Sequence, residues 1–145
     1  MSKTKIACNV HWIPPRGFKD FIDQNKDIYM PICGGSHLKD SQDEWIKKNI
    51  LMDDCKPDNI SILNPILNEL TTLYLVYKNL ELVGSAANIG LCHYRRLFPK
   101  DALMKIDTCD GIIAKPIPLY TAGYSTNIKL QYHLCHYAED FDILE

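Results

Sequence analysis

A short apolar run, Ile89-Gly90-Leu91-Cys92, ends abruptly in His93-Tyr94-Arg95-Arg96, and apolar residues resume at Leu97-Phe98. This stretch limits the chain more than any other. Strands buried in α/β sheets are apolar along their length, and ligands collect where such strands end. Guanidiniums placed there meet phosphate or carboxylate with a fixed fork geometry. On a straight strand Arg95 and Arg96 point to opposite faces, so at most one meets a given ligand unless the chain turns at Tyr94. One charge-assisted hydrogen bond is worth about 1.5–3 kcal/mol, enough to matter for a diphosphate. The bland alternative is two arginines on a solvated surface.

Other runs extend the pattern. Lys5-Ile6-Ala7-Cys8-Asn9-Val10 reads as an opening strand, ended by His11-Trp12 and stopped by the turn cluster Pro14-Pro15-Arg16-Gly17. Phe18, Phe21 and Ile22 have helical spacing. Ile28-Tyr29-Met30-Pro31-Ile32-Cys33 is extended, and Pro31 predicts an edge or irregular strand. In the loop Gly34-Gly35-Ser36-His37, a plain turn competes with close backbone approach to a ligand. Ser41 and Glu44 predict a capping box, and Asp53 through Ser61 a loop whose side chains are free to reach a ligand.

Asn64-Pro65 predicts a helix start, with Asn64 as N-cap and Pro65 at the first helical position. Ile66, Leu70, Leu73, Tyr74 and Tyr77 supply its core face, and running to Asn79 it is roughly 22 Å long. Glu69, in the second turn, is either a solvated acid helped by the helix dipole or a carboxylate facing a sugar or catalytic pocket. Residues 89–94 make the central strand, Pro99 starts a short helix, residues 111–114 make a further strand, and a last helix spans residues 125–138. Strands alternating with helices indicate a three-layer α/β domain with a mostly parallel sheet.

At 145 residues the chain fits one domain, and its 46% apolar and 23% charged residues exclude disorder. A net charge of −2 argues against a chain that coats nucleic acid. No apolar run approaches the ~20 residues that span a bilayer, and the N-terminus is too short in apolar residues for a secretory signal. The six cysteines form no CxxC pair, which fits reduced thiols in a cytoplasmic protein. Zinc held by His93, His133, His136 and Cys92 is disfavoured, because no spacing resembles a zinc signature and Cys92 and His93 point to opposite faces of a strand. Asp140-Phe141-Asp142 is a literal DxD, but it follows a helical pattern where solvated acids are the expectation. Neither GxGxxG nor GxxxxGK[ST] is present.

Several ordered blocks then match one family. Asp58-Asn59-Ile60-Ser61, Asn64, Glu69-Leu70-Thr71, Leu73-Tyr74, Lys78-Asn79 and Ile89 through Arg96 resemble the DNIS…N…ELTALYW.WKN…IGL.HYRR pattern of the domain of unknown function 4422. That family occurs in bacterial capsular-polysaccharide and lipopolysaccharide glycosyltransferases. The resemblance continues through Asp110-Gly111-Ile112-Ile113-Ala114-Lys115 and from Tyr132 to Ile143, and so covers nearly the whole chain.

It implies a nucleotide-binding, glycosyltransferase-A-like fold and transfer of a hexose from a UDP- or GDP-sugar to a glycan acceptor, with no nucleic-acid partner. It also implies a cytoplasmic location compatible with peripheral membrane association. Manganese or magnesium with the nucleotide-sugar stays open. Carried over by position, Asp58, Asn59, Tyr94, Arg95, Arg96, His133 and His136 bind the donor, and Glu69 and His93 are the catalytic candidates. The departures are Leu75 and Val76 where the family often has Trp, a longer link from residue 80 to 88, and an end at Glu145 where the family domain usually runs on. The competing expectation is therefore a truncated remnant that binds sugar or protein without turnover.

Overall fold

The computed structural model describes residues 3–35 and 37–113, within and immediately after the unit Met1–Ile112. His133, His136 and the Asp140-Phe141-Asp142 motif, with the helix predicted at residues 125–138, lie outside the described residues.

Strand β1 (Thr4–Val10) is followed by α1 (Arg16–Gln24), β2 (Tyr29–Cys33), α2 (Glu44–Asn49) and the two-residue β3 (Leu51–Met52). Then come α3 (Asn64–Leu67), α4 (Leu70–Lys78), β4 (Asn88–His93) and α5 (Lys100–Leu103). The four strands form one sheet in the order β3-β2-β1-β4, and every pairing is parallel. Parallel pairing requires crossovers, and the helices supply them.

Side-chain alternation along β1 assigns the two faces. Ile6, Cys8 and Val10 pack with Phe18 and Ile22 of α1 and Ile46 of α2, whereas Ala7 packs with Ile32, Leu75 and Val76 on the other side. Two apolar layers therefore flank the sheet, and the fold is the expected three-layer α/β arrangement with a parallel sheet.

Four local expectations are corrected. Pro31 lies in an interior strand. Ile6 N donates to Ile28 O at 2.8 Å, so alternation turns the backbone nitrogen of position 31 away from β1 and toward β3. β3 pairs only with Ile32 and Cys33, so no ladder bond is lost at the proline. The α2 cap is Asp43, whose carboxylate accepts from Trp45 N at 2.9 Å and Ile46 N at 3.3 Å; Ser41 instead accepts from Asp43 N. Residues 111–113 form no strand. The strand expected at the centre, β4, pairs only with β1 among the described residues, where β2 and β1 are the two interior strands.

The long helix expected from Asn64 is two short ones. Asn68, at φ 45° and ψ −122°, breaks it. Asn64 is the first helical residue, and its amide turns inward to donate to Asn68 O and Thr71 Oγ1, both at 2.9 Å. The break rotates α4, so Thr71, Thr72, Leu75 and Val76 face the sheet. Ile66, Leu70, Leu73 and Tyr77 of the expected core face are exposed. Both threonines are accommodated because their hydroxyls are satisfied: Thr72 Oγ1 donates to Asn9 Oδ1 at 2.7 Å and Thr71 Oγ1 to Asn68 O at 3.1 Å.

Candidate ligand site at the carboxyl edge of the sheet

The strand ends are level. Asn9 of β1 sits opposite both Ile32 of β2 and His93 of β4, and Asp53 N, just past β3, donates to Cys33 O at 2.9 Å. One edge of the sheet therefore carries His11 and Trp12 after β1, the glycines and His37 after β2, Asp53 and Asp54 after β3, and His93 through Arg96 at β4. Chain order reverses between β1 and β4, and in open α/β sheets that reversal opens a crevice at the carboxyl ends.

Tyr94 anchors the β4 side. Its backbone N donates to Asn9 O at 2.9 Å, and its ring lies buried against Phe18, 6.1 Å between centroids at 88°. The chain turns there: Arg96 N returns to His93 O at 2.7 Å, so the two arginines leave from a turn and not from opposite faces of a strand. Arg95 Nε donates to Tyr94 Oη at 3.0 Å, with its guanidinium carbon 5.2 Å from the ring centroid. Both guanidiniums are exposed, and neither has a carboxylate partner among the described residues.

His93 is half-buried, and its Nδ1 accepts the Arg95 backbone N–H at 3.2 Å. Neutral His93 consequently carries its proton on Nε2 and offers a donor to the site. Burial holds its pKa below the ordinary histidine value; the Glu69 carboxylate opposes that shift, and Arg95 and Arg96 reinforce it. His11 is lowered too, by burial first and then by His37, again with Glu69 opposing. Glu69 thus acts electrostatically on both histidines from the N-cap position of α4, where the Asn68 break places it.

Sequence reasoning missed the middle of this edge. The His11 and His37 rings lie 4.0 Å apart, and Trp12 is 5.0 Å from His37 and 5.2 Å from His11. The signal was available: His11-Trp12 ends an apolar strand just as His93-Tyr94 does. A cleft of about 560 Å³ adjoins His37 and is lined also by Lys39, Asp54, Asn59 and Ser61.

The Asp58-Asn59-Ile60-Ser61 block is occupied by structural work. Asp58 accepts from Tyr74 Oη and Lys78 Nζ, both at 2.9 Å, and Lys78 first, then Tyr74, holds its carboxyl below the usual range. Asn59 bonds Lys56 O and Ser61 N and lines the cleft, while the Ser61 hydroxyl donates to buried Asp53, which also accepts from Gly35 N. Gly34 and Gly35 are required by the protein itself. A Cβ on Gly34 would fall 2.6 Å from Asn64 Nδ2, and one on Gly35, at φ 75°, 2.7 Å from Asn64 Oδ1. Among the described residues no three His, Cys, Asp or Glu side chains assemble to hold a metal ion, and Cys8, Cys33, Cys55, Cys92 and Cys109 are free thiols.

The structure therefore defines an α/β domain with a histidine- and arginine-rich crevice at its carboxyl edge. Residues 18–145 match the model of the domain of unknown function 4422, and the chain belongs to that family. No curated protein and no solved structure matches it. No helix among the described residues is long and apolar enough to cross a membrane.

Proposed function

We propose that this chain is a glycosyltransferase of surface-polysaccharide synthesis that takes a nucleotide-sugar donor at the β1/β4 crevice. The observation that carries the reading is the convergence of His11, Glu69, His93 and Arg95 at the point where strand order reverses. Arg95 and Arg96, without a carboxylate partner among the described residues, meet the donor diphosphate and stabilise the charge that develops as it leaves. His93 donates from Nε2 to a phosphoryl or sugar oxygen, because its Nδ1 is already engaged. That leaves Glu69 as the group to accept a proton from the acceptor hydroxyl, with His11 beside it.

Titration of UDP- and GDP-hexoses, with and without manganese, tests this. Arg95→Ala or Arg96→Ala is expected to weaken donor binding about 10- to 150-fold, the equivalent of one charge-assisted bond. Failure of the wild type to bind any nucleotide-sugar, or wild-type binding by both variants, refutes the arginine role.

A further inference from the structure

We infer that the nucleoside half of the donor enters the cleft between the β2 and β3 loops and lays its base against the ring faces of Trp12 and His37. This rests on the donor reading above and adds to it the direction in which the donor lies.

The cleft, about 560 Å³, falls in the range of small-molecule sites. Trp12 lies against His37 of the cleft wall; it is 55% exposed, and its ring is tilted 39° to that of His37 at 5.0 Å. Two ring systems held near one another at the rim, one of them largely open to solvent, form a stacking surface for a flat ligand, since every base has a π-face. Behind them the Asn59 and Ser61 side-chain oxygens, already bonded within the loop, and the Asp54 carboxylate, paired with Lys39, keep acceptor lone pairs that suit the hydroxyls of a ribose.

Charge fixes the polarity. Lys39 is tied to Asp54 inside the cleft, so among the described residues that end offers a phosphate no free cation and one carboxylate to repel it. Arg95 and Arg96, at the opposite end, have no ion-pair partner among the described residues. Three strand spacings of roughly 4.8 Å separate β3 from β4, so the edge gives about 14 Å in which to lay a nucleoside at one end and its diphosphate at the other. His11 lies between them, against His37 on one side and coupled to Glu69 and His93 on the other.

Calorimetric titration of the full chain with UDP and, separately, with inorganic pyrophosphate tests the inference. Trp12→Ala is expected to weaken UDP about 5- to 150-fold, the range for one stacked base, and to leave pyrophosphate unchanged; Trp12→Phe is expected to retain most UDP affinity. Wild-type affinity for UDP in Trp12→Ala, or an equal loss for UDP and pyrophosphate, overturns the nucleoside placement while leaving the donor reading in force. A wild-type chain that binds neither UDP nor pyrophosphate overturns both.

Discussion

The Asn9–Thr72 hydrogen bond ties the element that places Glu69 to the strand that places His11, and its removal is the sharpest test of how the site is held. Thr72 is fully buried and Asn9 is 3% exposed, with Thr72 Oγ1 donating to Asn9 Oδ1 at 2.7 Å. The Asn9 carbonyl also accepts from Tyr94 N, so one residue joins α4, β1 and the β4 turn. Thr72→Val replaces the hydroxyl by a methyl of similar volume and opens no cavity, but it leaves Asn9 Oδ1 buried without that donor. The cost of such an orphan is about 1–3 kcal/mol. With a urea m-value of about 1–3 kcal/mol/M, the unfolding midpoint is expected to fall by roughly 0.5–2 M at unchanged m. In an Asn9→Ala background the same substitution should cost almost nothing, giving a coupling of about 1–3 kcal/mol. Urea melts of the four proteins, followed by far-UV circular dichroism, measure it. A loss under about 0.5 kcal/mol for Thr72→Val, or the same loss in both backgrounds, would refute the claim that this bond joins α4 to the sheet.

Three further outcomes follow from the geometry. Leu75→Ala, at a fully buried position, should cost about 2–5 kcal/mol, whereas Ile66→Ala, 78% exposed, should stay within about 0.5 kcal/mol; the reverse ranking in urea melts would restore the core face expected from the sequence. Gly35→Ala forces a side chain into φ 75° and against Asn64, and thermal melts should register a loss of about 1–3 kcal/mol; an unchanged melting point would remove Gly35 from the framework of the site. Because His11 and His93 titrate below the ordinary histidine value of about 6.5, the unfolded chain binds more protons in the interval between. Their contribution is full above pH 6.5 and is lost as pH falls through the folded values. The urea midpoint should therefore drop from pH 7.5 to 5.5, less steeply in His11→Gln/His93→Gln, and equal slopes in variant and wild type would contradict the burial of the two rings.

What the sequence revealed of this site, and what it hid, has a physical pattern. Strand ends were legible because a buried parallel strand must be apolar and must stop where polar groups begin; β1, β2 and β4 were all visible in that way. β3 was not, since two residues paired to Ile32 and Cys33 leave no period to detect. The face of α4 was misread for a different reason. Apolar residues surround that helix on nearly every side, so Ile66, Leu70, Leu73 and Tyr77 have as good a helical period as Leu75 and Val76. The choice is made outside the helix, by Asn9 and Asn64 reaching for Thr72 and Thr71 and by the backbone break at Asn68. Two buried threonines look like a reason to turn that face outward until their partners are known.

The same limit explains the site. His93, Arg95 and Arg96 stand in one contiguous motif, but Trp12, His37 and Glu69 are separated from it by 81, 56 and 24 positions and come to the same edge of the sheet only through the level strand ends and the helix break. A residue named by a motif can, conversely, be fully engaged elsewhere: Asp58, first of the most recognisable block, spends its carboxylate on Tyr74 and Lys78. The block is then an element that fixes the loop beside the cleft, and under the function proposed above the donor would be met by side chains with no such internal partner among the described residues.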